Sequence, residues 1–148
     1  MIRSDFNSGT SFLRDPLITQ EHLRYDVIVY VRHSSQHQVE PNKGSTEFQR
    51  AQVDLARAYG WRQEQIVVID DDLGRSGGSV DNRPGYQRIV ELIGSGKVKA
   101  VIAADISRLS RNLVDVVTFL TLTAHQHAVL ILDGRAVDPC DHSDIWKL

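Results

Sequence analysis

The sequence has a single cysteine, Cys140, so no disulfide framework can form within one chain, and no cysteine–histidine pair stands at structural zinc spacing. It has no excess of either charge: the formal net charge is −2, so no overall positive field draws it onto nucleic acid. That weighs against a free-standing DNA-binding module, which carries a basic face, and leaves room for an enzyme that meets DNA at one local site. No apolar run reaches the length of a membrane span. The opening Met1-Ile2-Arg3-Ser4-Asp5-Phe6-Asn7 is too polar for a signal peptide. A cytoplasmic protein is the expectation, with no membrane contact and no metal.

What is present is one domain's worth of chain, 148 residues, with 41% hydrophobic and 24% charged residues, the proportions of a globular domain with a substantial core. Residues 1–24 read as a polar leader with one short helical turn. From Tyr25 the pattern sharpens. Val27-Ile28-Val29-Tyr30-Val31 is a β-branched run suited to a strand buried on both faces. Ser45-Thr46-Glu47-Phe48-Gln49 predicts a helix start, with Phe48, Ala51, Leu55 and Ala58 as its apolar stripe and Gly60 near its end. Ile66–Ile69 is a second strand. Pro84 then opens a helix whose apolar face is Tyr86, Ile89, Val90 and Ile93, ended by Gly94 or Gly96. Ala100–Ala104 forms a third strand. Leu113, Val116, Val117, Leu120 and Ala124 mark a third helix, and Ala128–Leu132 a fourth strand. Strands and helices alternate, which predicts an α/β domain with a largely parallel central sheet of four to five strands.

Ligands of such sheets bind beyond the carboxyl ends of the strands. Arg32 and Ser34 follow the first strand, Ser76 and Arg83 the second, Arg108 and Arg111 the third. Four arginines and a serine directed to one edge describe an anion site, and phosphate suits the forked guanidinium donor. Any one of these arginines taken alone is as readily a solvated surface group.

Three local patterns point elsewhere and fail. Gly74-Arg75-Ser76-Gly77-Gly78 fits the G-x-S-x-G of α/β hydrolases, but Ser79–Arg83 intervenes before any helix, where the nucleophile elbow needs a direct strand-to-helix turn. Gly94-Ser95-Gly96-Lys97 hints at a P-loop, yet Glu91 and Val98 occupy the positions of its first glycine and its Ser/Thr, and the stretch follows a helix instead of preceding one. Asp70-Asp71-Asp72 has no second carboxylate cluster to share Mg²⁺ and reads as solvated acids at a strand end. His125 and His127 read as surface residues near a helix end.

Tyr30-Val31-Arg32-His33-Ser34-Ser35 resembles the Y-x-R-x-S-[ST] signature of the serine site-specific recombinases, the resolvase and invertase superfamily. The likeness continues in order through Ser45–Gln49, Asp72-Leu73-Gly74-Arg75-Ser76-Gly77, Arg83-Pro84-Gly85 and Ser107-Arg108-Leu109-Ser110-Arg111-Asn112, and it spans roughly Tyr25 to Leu132. The later motifs look most like those of the large serine recombinases and transposon-borne relatives. The resemblance implies a resolvase-like three-layer catalytic domain over residues 25–148. It implies that Ser34 attacks a DNA phosphodiester to form a 5′-phosphoserine link, without metal or cofactor. Arg32, Arg108 and Arg111 would hold the scissile phosphate, assisted by Arg83.

The chemistry is coherent with the residues. In-line phosphoryl transfer depends on positioning and on neutralising the non-bridging oxygens. Arg32 and Ser34 are two apart, on one face of an extended chain; Arg108 and Arg111 are three apart, on one side of a helical turn. Gln49 has two readings: a site contact implied by the resemblance, or the closing member of a capping box with Thr46. Ser76 is a second site hydroxyl or a turn former beside Gly77. His33 would face away from Arg32 and Ser34, and no residue declares itself the general base. Where many small resolvases carry an acid before the first arginine of the last motif, this chain has Ser107, with Asp105 two residues earlier.

DNA is the expected partner, with self-association into dimers or tetramers in a full-length protein. In the family a long helix for subunit pairing and separate DNA-binding domains follow this region. The 148 residues alone are expected to lack both and to be monomeric. The rival function is a catalytically silent phosphate- or DNA-binding regulatory domain on the same fold, separable by whether a covalent protein–DNA adduct forms. An acyl hydrolase using Ser76 would declare itself by ester turnover.

Overall fold

The computed structural model describes residues 15–31, 41–70, 84–104 and 112–139, with residues 41–46 described by backbone alone. The elements in chain order are α1 (Gln20–Leu23), β1 (Asp26–Tyr30), α2 (Pro41–Tyr59), a 3₁₀ turn (Gln63–Gln65), β2 (Ile66–Ile69), α3 (Pro84–Gly94), β3 (Val98–Ala103), α4 (Leu113–His125), β4 (Val129–Leu132) and β5 (Arg135–Val137). The sheet order is β2-β1-β3-β4-β5; the first four strands are parallel and β5 runs antiparallel to β4.

Unbroken aliphatic strands need both faces covered, and alternation divides the core accordingly. Ile28, Tyr30, Val101, Ala103, Leu130 and Leu132 face one way and pack with Tyr86, Ile89, Ile93 and Phe119 from α3 and α4. Val27, Val29, Val31, Ala100, Ile102 and Ile131 face the other and pack with Ala56 and Trp61, with Phe48, Leu55 and Tyr59 of α2 set against them. The result is three layers, helices on both faces of a mixed but mainly parallel sheet, as expected of an α/β domain.

The leader joins this packing. Leu17, Ile18 and Leu23 lie against the α2-side cluster. Thr19 caps α1 through a box with His22, the expected single turn. Gln65 Nε2 donates to the carbonyls of Leu23 (2.8 Å) and Tyr25 (3.2 Å), and Trp61 Nε1 donates to that of His22 (3.3 Å).

Three expectations are corrected. The second helix starts at Pro41, not Ser45; proline has no N–H to lose in a first turn and its φ is already helical. Thr46 is therefore inside the helix, where a residue cannot act as N-cap, and the capping-box reading of Gln49 falls. The apolar stripe of α2 is also turned: Ala51 is exposed, while Ala56 is fully buried. On α4, Leu113 and Val117 are exposed, 74% and 52%, and Phe119 and Thr123 are the buried positions. The fifth strand, within the four to five expected, is β5, which follows a turn at Asp133-Gly134, where both residues have positive φ, 52° and 77°. That is the backbone of a tight two-residue hairpin, for which Asp-Gly is suited.

Candidate active site

The register puts the carboxyl ends of the parallel strands in one row. Tyr30 pairs with Ile69, Val29 with Ile102, and Ala103 with Leu132. Main-chain bonds continue the row, from Val31 N to Ile69 O (3.0 Å) and from Asp133 N to Ala103 O (3.3 Å). Three segments leave this edge, after Val31, Asp70 and Ala104, and lead into α2, α3 and α4. They contain Arg32 and Ser34, Ser76 and Arg83, and Arg108 and Arg111 respectively. These six residues themselves lie outside the described residues, so the structure fixes the edge and the helices around them and no side-chain geometry among them.

The helices that receive the segments are firmly seated. Asn112 caps α4, its Oδ1 accepting from Val114 N at 2.8 Å and from Asp115 N at 3.4 Å. Tyr86 is buried at the start of α3, and its hydroxyl donates to Asp115 O at 3.0 Å. Its ring lies 6.2 Å from that of Phe119, tilted by 42°. Arg83 directly precedes Pro84 and Arg111 directly precedes Asn112. The two helix starts to which these arginines are joined are thus tied together.

Gln49, the one predicted site residue within the described set, is half-buried on α2. One turn on, Gln52 carries a buried amide oxygen that has no hydrogen-bond partner among the described residues. The sequence pattern did not single out Gln52 or the Tyr86 brace. A polar residue spaced four from Phe48 and three from Leu55 is the available signal for Gln52, masked in the pattern because Ala51 next to it is apolar.

Other features lie away from this edge. A cavity of about 300 Å³ between the leader and the start of β4 is lined by Leu17, Thr19, His22, His127, Ala128 and Asp138, among others. Tyr59 donates to Gly134 O at 3.3 Å, and burial, with a smaller contribution from Asp15, raises its pKa. Among the described residues no group of three or more His, Cys, Asp or Glu could hold a metal ion, and no helix is long and apolar enough to cross a membrane.

Residues 27–143, most of the chain, match the family model of the resolvase N-terminal domain. The chain belongs to the resolvase N-terminal domain family. The domain is 38% identical over 127 residues to an uncharacterized protein, y4bA/y4pH, of Sinorhizobium fredii (strain NBRC 101917 / NGR234), the alignment covering 86% of this chain and 18% of that one. It therefore spans under a fifth of that relative's length. Among solved structures, the N-terminal catalytic domain of TP901-1 integrase superposes with a TM-score of 0.62 at 23% identity, over 82% of this chain and 88% of that one. A resolvase family site-specific recombinase from Streptococcus pneumoniae gives a TM-score of 0.52 at 29% identity, over 77% and 75%. The resolvase fold of these neighbours is the three-layer fold described above, and the serine recombinase family suggested by the sequence motifs is the family found.

Proposed function

We propose that this resolvase-family domain cleaves and rejoins DNA through Ser34. The Ser34 hydroxyl oxygen forms a bond to a backbone phosphorus as the bond from that phosphorus to the 3′-oxygen breaks. The serine proton is given up, the 3′-oxygen leaves as a hydroxyl, and the protein is left joined to the 5′-phosphate. Rejoining is the reverse attack by a 3′-hydroxyl. Arg32, Arg108 and Arg111 neutralise the non-bridging oxygens, Arg83 assists, and Gln49 and Ser76 contribute polar contacts. No metal is needed, because guanidinium groups supply the charge that Mg²⁺ supplies elsewhere.

The observation that carries this reading is the conjunction of family membership with topology. The motif residues fall in the three segments that leave one edge of a parallel sheet, where α/β domains bind their ligands. Residues 25–148 act as the catalytic unit with 1–24 as leader, the substrate is DNA in the cytoplasm, and assembly into dimers or tetramers brings the cleaved ends together.

The deciding experiment compares the native-length protein with Ser34→Ala on supercoiled plasmid carrying its own gene and flanking DNA. Denaturing gels should show a covalent protein–DNA adduct for the parent and none for the variant, with thermal unfolding of the two alike. An adduct that persists in Ser34→Ala assigns the nucleophile elsewhere. A parent that binds this DNA without ever forming an adduct is the silent regulatory domain instead.

A further inference from the structure

The short helix α1 opens on a capping box whose closing residue is a histidine. Glutamate or glutamine usually stands there, with a side-chain oxygen that accepts from the N-cap amide. Here His22 Nδ1 accepts, 3.0 Å from Thr19 N, while His22 N donates to Thr19 Oγ1 at 3.4 Å. The other ring nitrogen, Nε2, lies 3.1 Å from the main-chain oxygen of His127, 105 residues along the chain. An amide N–H only donates and a carbonyl only accepts. These two partners therefore fix one form of the ring, neutral and with its proton on Nε2.

The ring ties the leader to the start of β4. His127 closes α4 in the left-handed conformation, φ 58°, with its N–H on Ala124 O (3.1 Å) and the next N–H on Thr123 O (2.9 Å). This is a helix-ending turn, and it holds the His127 carbonyl in place. From the α2 side, Trp61 and Gln65 hold the main chain at His22, Leu23 and Tyr25 through groups that do not titrate near neutrality.

Protonation disrupts the tie. An imidazolium carries N–H on both nitrogens, so Nδ1–H is set against Thr19 N–H and the cap amide loses its acceptor. Thr19 Oγ1, 3.2 Å from the same nitrogen, already accepts from His22 N. Among the described residues, the other ionisable groups lining the cavity beside the ring are Glu21, Asp138 and His127, and Glu21 pairs with Arg24 at 3.6 Å. Between about pH 7.5 and 5.5 carboxylates stay charged and imidazoles change state. The charged ring is drawn off Thr19 toward the carboxylates of the cavity. His127, charging in the same interval, places a like charge beside the position it leaves.

We propose that His22 is an acid-sensitive latch on the leader. At neutral pH residues 15–22 are tied to the start of β4. Protonation of the ring opens the capping box and frees them, while the carbonyls of Leu23 and Tyr25 stay held by Gln65. The latch lies at the amino-terminal edge of the sheet and does not depend on the role of Ser34.

Hydrogen–deuterium exchange of the native-length protein, followed by mass spectrometry and corrected for the intrinsic pH dependence of amide exchange, tests this. Protection of residues 17–22 should fall about 3–10-fold between about pH 7.5 and 5.5, as for loss of one hydrogen bond, with residues 27–31 unchanged. His22→Gln, which restores the usual capping-box acceptor, should remove the pH dependence at whatever level its protection stands. His127→Asn, which tolerates the left-handed turn, should retain it. Protection that holds or rises on acidification of the parent overturns the latch. A fall that persists in His22→Gln, or vanishes in His127→Asn, assigns the response to another group and overturns it equally.

Discussion

The hydroxyl of Tyr86 donates to the main-chain carbonyl of Asp115 across 3.0 Å, linking the first turn of α3 to the first turn of α4. The two segments that carry Arg83 and Arg111 end at these turns, so one partly buried hydrogen bond ties their anchors together. Tyr86→Phe keeps the ring and its packing on Phe119 and removes only the donor to the Asp115 carbonyl. The expected loss is about 1 kcal/mol of stability. Chemical denaturation measures it, and adduct formation on plasmid DNA should slow in the same variant while DNA affinity holds.

The proposed charge neutralisation by guanidinium groups makes two further measurements decisive. Adduct formation should continue in EDTA. Arg32→Ala or Arg108→Ala should each reduce its rate about 10²–10³-fold, the usual effect of deleting one preorganised donor at a developing charge. Lysine at either position should restore little, because a compact ammonium cannot reproduce a forked pair of donors. A strict requirement for Mg²⁺ would overturn the mechanism.

Two glycines should respond to alanine with opposite signs. Gly134 has φ +77° and open space for 4 Å around the place an added Cβ would take, so Gly134→Ala meets only backbone strain. It should cost about 1–2 kcal/mol. Gly94, the last residue of α3, likewise has open space around an added Cβ and is not held at positive φ. Gly94→Ala should gain about 0.5–1 kcal/mol by restricting the unfolded chain. Urea unfolding of the two variants beside the parent resolves both.

The strands were legible because their signal is chemical. Val27–Val31 and Val129–Leu132 are too apolar and β-branched to be anything but strands covered on both faces. The face of α3 was equally clear, since Tyr86, Ile89 and Ile93 are its apolar residues at helical spacing and all three are buried. Alanine misled the reading of α2. Ala51 and Ala56 are identical to a hydropathy pattern, and the large neighbours Phe48, Leu55 and Tyr59 alone decide which of them is inside. On α4 nearly every position is apolar or Thr, so periodicity could not separate the buried Phe119 from the exposed Leu113. The hairpin to β5 was written in Asp133-Gly134 and went unassigned because Arg135–Val137 is too short to show alternation. For the site, the sequence supplied residue identities and the shared sheet edge follows from topology. The distances among Ser34 and its arginines belong to segments outside the described residues.

The strand order has a consequence for how this protein is made. β1, the first of these five strands in chain order, lies inside the sheet, with β2 on one side and β3, which begins only at Val98, on the other. Every ladder it forms is parallel and closes a long loop, so contact order is high and folding slow compared with a helical domain of equal length. On the ribosome, Val27–Val31 must wait with one edge unpaired until residues 98–103 emerge, a window of several seconds at ordinary elongation rates of roughly 5–20 residues per second. An apolar strand held open for that time is a target for chaperones and for pairing with a neighbouring nascent chain. Expression yield should therefore depend more on chaperone supply and translation speed than on the stability of the finished fold.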